Sequence, residues 1–282
     1  PEPEPVACMG AEVNPERLFL QQLDTDSVIV KWRGDTDGGD GADSVCFGTD
    51  QDFLPEESLT AATETETGHM EALLTGLSPD TTYYYSVGGA GSAGDSRFFQ
   101  TPPEDGAVPA DGNTHILIVG DSGTVTDGVS DELPEGEHPG EAAAVLAGYE
   151  TYSEANGGEP VDLFLALGDN AYEVGTDEEW QKSFFELYTD ILSSAYTIPT
   201  IGNHEMGYGE IDLCIFVPSI PCGTQGLATG GVSSSPDPDS YDSDGDLVPD
   251  GTGMPYLDIF TLPADGESGG VASGTEQYYS ID

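Results

Sequence analysis

Three apolar runs, each ending in glycine followed by an Asp or Asn, constrain the fold of this chain most. Residues 114–120 (T-H-I-L-I-V-G) run into Asp121, residues 161–168 (V-D-L-F-L-A-L-G) into Asp169, and residues 198–202 (I-P-T-I-G) into Asn203. Near-continuous apolar runs of this kind suit strands covered on both faces. Helical patterns separate them: Glu141 to Glu150, and an amphipathic stretch from Glu178 to Ser193 that carries Trp180, Phe184, Phe185, Leu187 and Leu192. Strands alternating with helices predict an α/β layer on a parallel or mixed sheet. In such sheets the loops leaving the C-terminal strand ends converge, and ligands bind there. The strings G-D-S-G (120–123), G-D-N-A-Y (168–172) and G-N-H-E (202–205) should therefore meet at one edge.

The part before this reads all-β. Residues 1–14 form an extended tail that opens P-E-P-E-P, the pattern of a mature start or a linker. Strands are expected at Ser27–Trp32, Ser44–Gly48, within His69–Val87 and at Ser96–Thr101, with turn signals between them. This spacing predicts a β-sandwich over 15–103. The string Leu77-Ser-Pro-Asp-Thr-Thr-Tyr83 resembles the L-x-P-x-T-x-Y signature of fibronectin type III-like domains, so these tyrosines are read as structural. A polar linker follows over 104–113. Residues 113–282 then form the second domain, with a Gly/Ser/Pro/Asp-rich surface insertion over about 207–256. Gln277 to Asp282 reads as the start of one more strand.

Lys and Arg number 5 against 54 Asp and Glu, a formal charge of −49. Such a surface repels nucleic acid and anionic membranes, which excludes both as partners. No run of about 20 apolar residues is present to span a bilayer. The four cysteines, Cys8, Cys46, Cys214 and Cys222, include no C-x-x-C pair. The expected arrangement is a local Cys214–Cys222 bridge and a Cys8–Cys46 bridge from tail to strand; four free thiols are the alternative. An even count in a loop-rich acidic chain points to an oxidising compartment: secreted, periplasmic or cell surface.

Asp121 and Asp169 at one sheet edge would repel unless a cation lies between them. A carboxylate shared by two metals resolves this, and Asn203 adds a neutral oxygen. Tyr172 lies three residues past Asp169, and a phenolate suits a hard trivalent ion. His204, directly after Asn203, would face substrate.

These motifs resemble the calcineurin-like metallophosphoesterase superfamily, and within it the purple acid phosphatases, whose pattern is G-D-x-G, G-D-x-x-Y and G-N-H-E after a fibronectin-like domain. The resemblance implies a β-sandwich followed by an α/β metallophosphoesterase domain, here an incomplete α/β/β/α sandwich. It implies hydrolysis of small phosphate monoesters at a dinuclear centre. Asp121 and Tyr172 would bind Fe(III), Asp169 would bridge, and Asn203 would bind a divalent Fe, Zn or Mn. His204 would contact the phosphate and serve the leaving oxygen. The histidine motifs that follow in the family have no counterpart before Asp282, which is read as truncation. His69 and His115 are expected to be structural and His138 solvated.

The stretch 242–250 (D-S-D-G-D-L-V-P-D) resembles calcium loops, with Asp242, Asp244, Asp246 and Asp250 as candidate ligands; a solvated acidic loop is the alternative. The looser cluster Asp35, Asp37, Asp40 and Asp43 is read as solvated. Two other readings of the chain stand beside the monoesterase: a phosphodiesterase or nucleotidase on the same scaffold, and a non-catalytic, calcium-dependent surface component.

Overall fold

A computed structural model of the chain describes residues 7–8, 13, 15–34, 44–59, 61–62, 68–88, 91, 93–94, 97–123, 141–172, 175–206 and 254–281. Cys214, Cys222, His138, the Asp35–Asp43 cluster, Asp242, Asp244, Asp246 and Asp250 lie outside the described residues.

Eight short strands build the first part: β1 (Glu16–Gln21), β2 (Ser27–Arg33), β3 (Ser44–Gly48), β4 (Glu56–Leu59), β5 (Ala61–Ala62), β6 (His69–Thr75), β7 (Thr82–Val87) and β8 (Phe98–Gln100). β4-β3-β7-β8 form one antiparallel sheet. β5-β6-β2-β1 form the antiparallel part of the other. Period-two alternation sends Val28, Val30 and Trp32 of β2 into a core shared with Val45, Phe47, Tyr85 and Phe99 of the facing sheet. The Tyr83 hydroxyl accepts the Ser78 N–H at 3.0 Å, closing the corner before β7. Cys8 and Cys46 form the expected tail-to-strand disulfide.

The second part supplies β9 (Ile116–Val119), β10 (Leu163–Leu167) and β11 (Tyr196–Thr200), all mutually parallel. These strands do not form a separate sheet. β11 pairs in parallel with β1 through Leu20 and Tyr196, giving one mixed sheet of order β5-β6-β2-β1-β11-β10-β9. Phe164, Ala166, Leu117 and Val119 pack on one face against an aromatic layer that includes Trp180, Phe184, Tyr188 and Phe260. Ile116, Ile118 and Leu167 on the other face are exposed.

Helix α1 (Glu141–Ala155) matches the expected helix. The expected helix over 178–193 is broken into α2 (Asp177–Trp180), a π-helical turn (Gln181–Phe185) and α3 (Thr189–Leu192). The Glu186 N–H bonds back to Gln181 O at 2.9 Å, five residues away. At this wider turn the adjacent Phe184 and Phe185 are both buried in the core. Among the described residues of the expected last strand, 277–281, no strand forms, and Ile281 makes an isolated bridge to Gly269. The last described helix is α4 (Pro255–Ile259).

β1 and β2 are covered on both faces, because residues 177–185 and 254–262 close over the side turned away from the first core. This buries side chains that alternation would assign to solvent. Lys31 is 2% exposed and donates to Thr261 Oγ1 at 2.6 Å. Arg17 sits at a register shift in β1 with φ 49°. Its guanidinium bonds Asp177 at 2.6 and 2.9 Å and Gln181 at 2.7 Å, and lies 5.0 Å from the Phe185 ring centre. Arg33 adds a second contact to Asp177, at 2.9 Å.

His69 is buried beside Phe19 and Phe185, as a structural histidine should be. Burial, with Arg17, Lys31 and Arg33 nearby, lowers its pKa to about 2. A folded value below the unfolded one means stability that is complete above about pH 6.5 and lost as pH falls toward 2. His69→Phe should remove that loss, shrinking the fall in unfolding free energy between pH 7 and pH 5 by about 2 kcal/mol. Urea melts of both proteins at the two pH values measure this; an unchanged difference contradicts it.

Candidate metal centre

The three motif loops leave neighbouring strand ends. β9 and β10 are in register through Val119 and Ala166, and β10 and β11 through Leu167 and Thr200. Asp121, Asp169 and Asn203 therefore follow adjacent strands at their C-terminal edge, as the sequence predicts. The loops are stitched together by main chain. Asp121 N–H donates to Gly168 O at 3.2 Å, Gly123 N–H to Asp169 O at 3.0 Å, and Tyr172 N–H to Gly123 O at 3.2 Å. A Cβ on Gly123 would lie 2.4 Å from the Asn170 backbone, and one on Gly202 would lie 2.2 Å from Asp169 Oδ1. Glycine at these two positions is thus a condition of the close approach.

Asp121 (φ 51°) and Asp169 (φ 52°) both adopt the left-handed backbone region. Non-glycine residues there are uncommon, cost free energy, and concentrate at functional sites. The Tyr172 hydroxyl donates to Asp121 Oδ1 at 3.3 Å. Burial, then the Asp169 and Asp121 charges, hold this phenol protonated well above its ordinary range. Asp169 Oδ1 accepts the His204 N–H at 3.1 Å. The His204 ring lies 4.0 Å from that of Tyr172, centre to centre. Asn203 is exposed. His115 precedes β9 with its N–H bonded to Asp162 at 2.7 Å, away from these loops.

The donors brought together are two carboxylates, a phenol and an amide, an all-oxygen set that fits a hard cation. Among the described residues no group of three or more His, Cys, Asp or Glu is arranged to hold a metal.

Sequence reasoning missed three participants. Glu205 is fully buried and accepts backbone N–H groups from both the 169–171 and 202 loops. Burial raises its pKa, opposed by those N–H bonds. Ser183, on the π-helical turn, has its hydroxyl 2.9 Å from Asn170 O. Asn170 is buried and donates to Thr200 O at 3.1 Å. None of the three carries a local sequence signal, because each is paired with backbone groups distant in the chain.

Among the described residues no helix is long and apolar enough to cross a membrane. No curated protein matches the chain. Among solved structures, purple acid phosphatase PPD1 from yellow lupin (Lupinus luteus) seeds is similar at 18% identity and a TM-score of 0.55, over 92% of this chain and 42% of that one. PhoD is similar at 17% identity and a TM-score of 0.42, over 68% of this chain and 40% of that one. The chain thus spans less than half the length of either. Residues 15–101 match the purple acid phosphatase N-terminal domain family. The chain thus matches that family's domain over this segment, and over most of its length it is similar in fold to a purple acid phosphatase.

Proposed function

We propose that this chain carries part of a phosphomonoesterase centre that holds two metal ions. The observation that carries the reading is the convergence of Asp121, Asp169, Tyr172 and Asn203 on loops leaving three adjacent parallel strands. Asp121 and Tyr172 would hold Fe(III), Asp169 would be shared, and Asn203 would hold a divalent Fe, Zn or Mn. When bound, the pair supplies a Lewis acid and an acidified water. The chain's own residues then orient and exchange protons. In the absence of a cation Asp121 accepts a hydrogen bond from the Tyr172 hydroxyl, and His204 is the proposed hydrogen-bond donor to a phosphate oxygen and to the leaving oxygen.

The Tyr83–Ser78 corner supports a fibronectin III-like sandwich over 15–103. The bare apolar face of β9 and β10 supports an α/β/β/α arrangement, in which a second sheet covers it. The Cys8–Cys46 disulfide supports a secreted, periplasmic or cell-surface location.

The chain loaded with Fe(III) and Zn(II) should hydrolyse p-nitrophenyl phosphate faster than the bis-ester, or bind inorganic phosphate, and a chelator should abolish either. Preference for the bis-ester would favour a phosphodiesterase. Metal loading with neither turnover nor phosphate binding would contradict the proposal.

A further inference from the structure

We infer that Glu205 is a positioning residue, clamping the loops of two proposed metal ligands with one carboxylate. Oε1 accepts the N–H groups of Asn170, in a short bond, and Ala171 at 3.1 Å. Oε2 accepts those of Asp169 at 2.9 Å and Gly202 at 2.6 Å. An ionised carboxylate has about four lone-pair sites, so these four donors saturate it and leave none for a cation. Glu205 is therefore not itself a ligand, although it directly follows Asn203 and His204 in sequence.

The geometry explains why an acid is needed here. Three of the donors lie on the turn that carries Asp169 in its left-handed conformation, and the fourth on the residue before Asn203. Successive N–H groups converging on one point form an anion-binding concavity. A single buried anion fills it and sets the spacing of the Asp169 and Asn203 loops. A neutral Gln offers one oxygen and a competing NH2 donor, so half of the donors would face another donor. Ser183 supports the same turn through Asn170 O at 2.9 Å.

The inference rests on the metal-centre reading above, and its test separates the two. Glu205→Gln in the full chain should lower Mn(II) affinity, followed by electron paramagnetic resonance, by about 10–100-fold. Hydrogen exchange at the amides of Asp169, Asn170, Ala171 and Gly202 should accelerate at least about tenfold while β2 amides keep their protection. Val45→Ala, a cavity opened in the core between the two sheets of the first part and away from these loops, should leave Mn(II) affinity within about twofold of wild type, so loss of stability alone does not mimic the effect. A Gln variant with wild-type affinity, or with all four amides still protected, overturns the inference. If wild type binds no Mn(II), the metal-centre reading fails by itself and the exchange data still decide the role of Glu205. If the Gln variant does not fold, exchange in wild type decides: rapid exchange at the four amides overturns the clamp, and protection supports it.

Discussion

Asp177→Ala should destabilise the protein by about 3 kcal/mol, the low end for one partner removed from a buried ion pair. The reason is asymmetric burial: the Arg17 side chain is 0% exposed and that of Asp177 is 39% exposed. Removing Asp177 leaves a guanidinium in an apolar seam, with Gln181 its remaining side-chain hydrogen-bond partner. Arg17→Met should cost less, because Asp177 keeps its 2.9 Å bond to Arg33 and partial access to water. The double variant should recover much of the Asp177→Ala loss, since a buried pair replaced by apolar groups is often nearly neutral. Denaturant melts of the four proteins test the ordering. Equal losses for both single variants would show that the pair does not hold the seam. The seam matters for function because α2 leads directly into the π-helical turn that carries Ser183 to the Asp169 loop.

The second large effect concerns Asp169. Asp169→Asn keeps the size of the side chain and removes the charge proposed to be shared by two cations. Zn(II) or Mn(II) affinity should fall by more than the roughly 10–100-fold that loss of an outer partner costs. Thermal stability without metal should hold or rise slightly, because Asp121 loses a like-charged neighbour. Calorimetric titration of both proteins measures this. Equal affinity in the two would remove Asp169 from the centre.

Much of this architecture was legible in the sequence, for a physical reason. β2, β3 and β10 obey local rules, either alternation or a short apolar run, and fall where those rules put them. The three strand-end motifs were legible because a parallel sheet brings the C-terminal ends of its strands together. What was not legible depends on partners distant in the chain. β1 was missed; its charged start and register shift weaken the alternation, and its parallel partner Tyr196 is remote in sequence. Lys31 and Arg33 are charged residues at alternate positions of β2, and nothing local to them announces that residues 177–185 and 254–262 close over that face. The break in the helix over 178–193 left no trace, because the spacing of Trp180, Phe184, Phe185 and Leu192 fits a regular amphipathic helix as well. Glu205 left none in its local pattern, because its partners are backbone groups rather than side chains.

In the proposed centre Tyr172 and Asp121 would together hold a ferric ion at this edge. In the metal-free chain, burial and the two nearby carboxylates keep the phenol protonated. With a trivalent cation bound beside it, Tyr172 would instead lose its proton and serve as a phenolate ligand. Titrating the chain with Fe(III) while recording its visible absorption reads the bond itself. The account predicts a tyrosinate-to-iron charge-transfer band that saturates with added iron and is absent in Tyr172→Phe. A chain that takes up iron without such a band, or a band that persists in Tyr172→Phe, would contradict it.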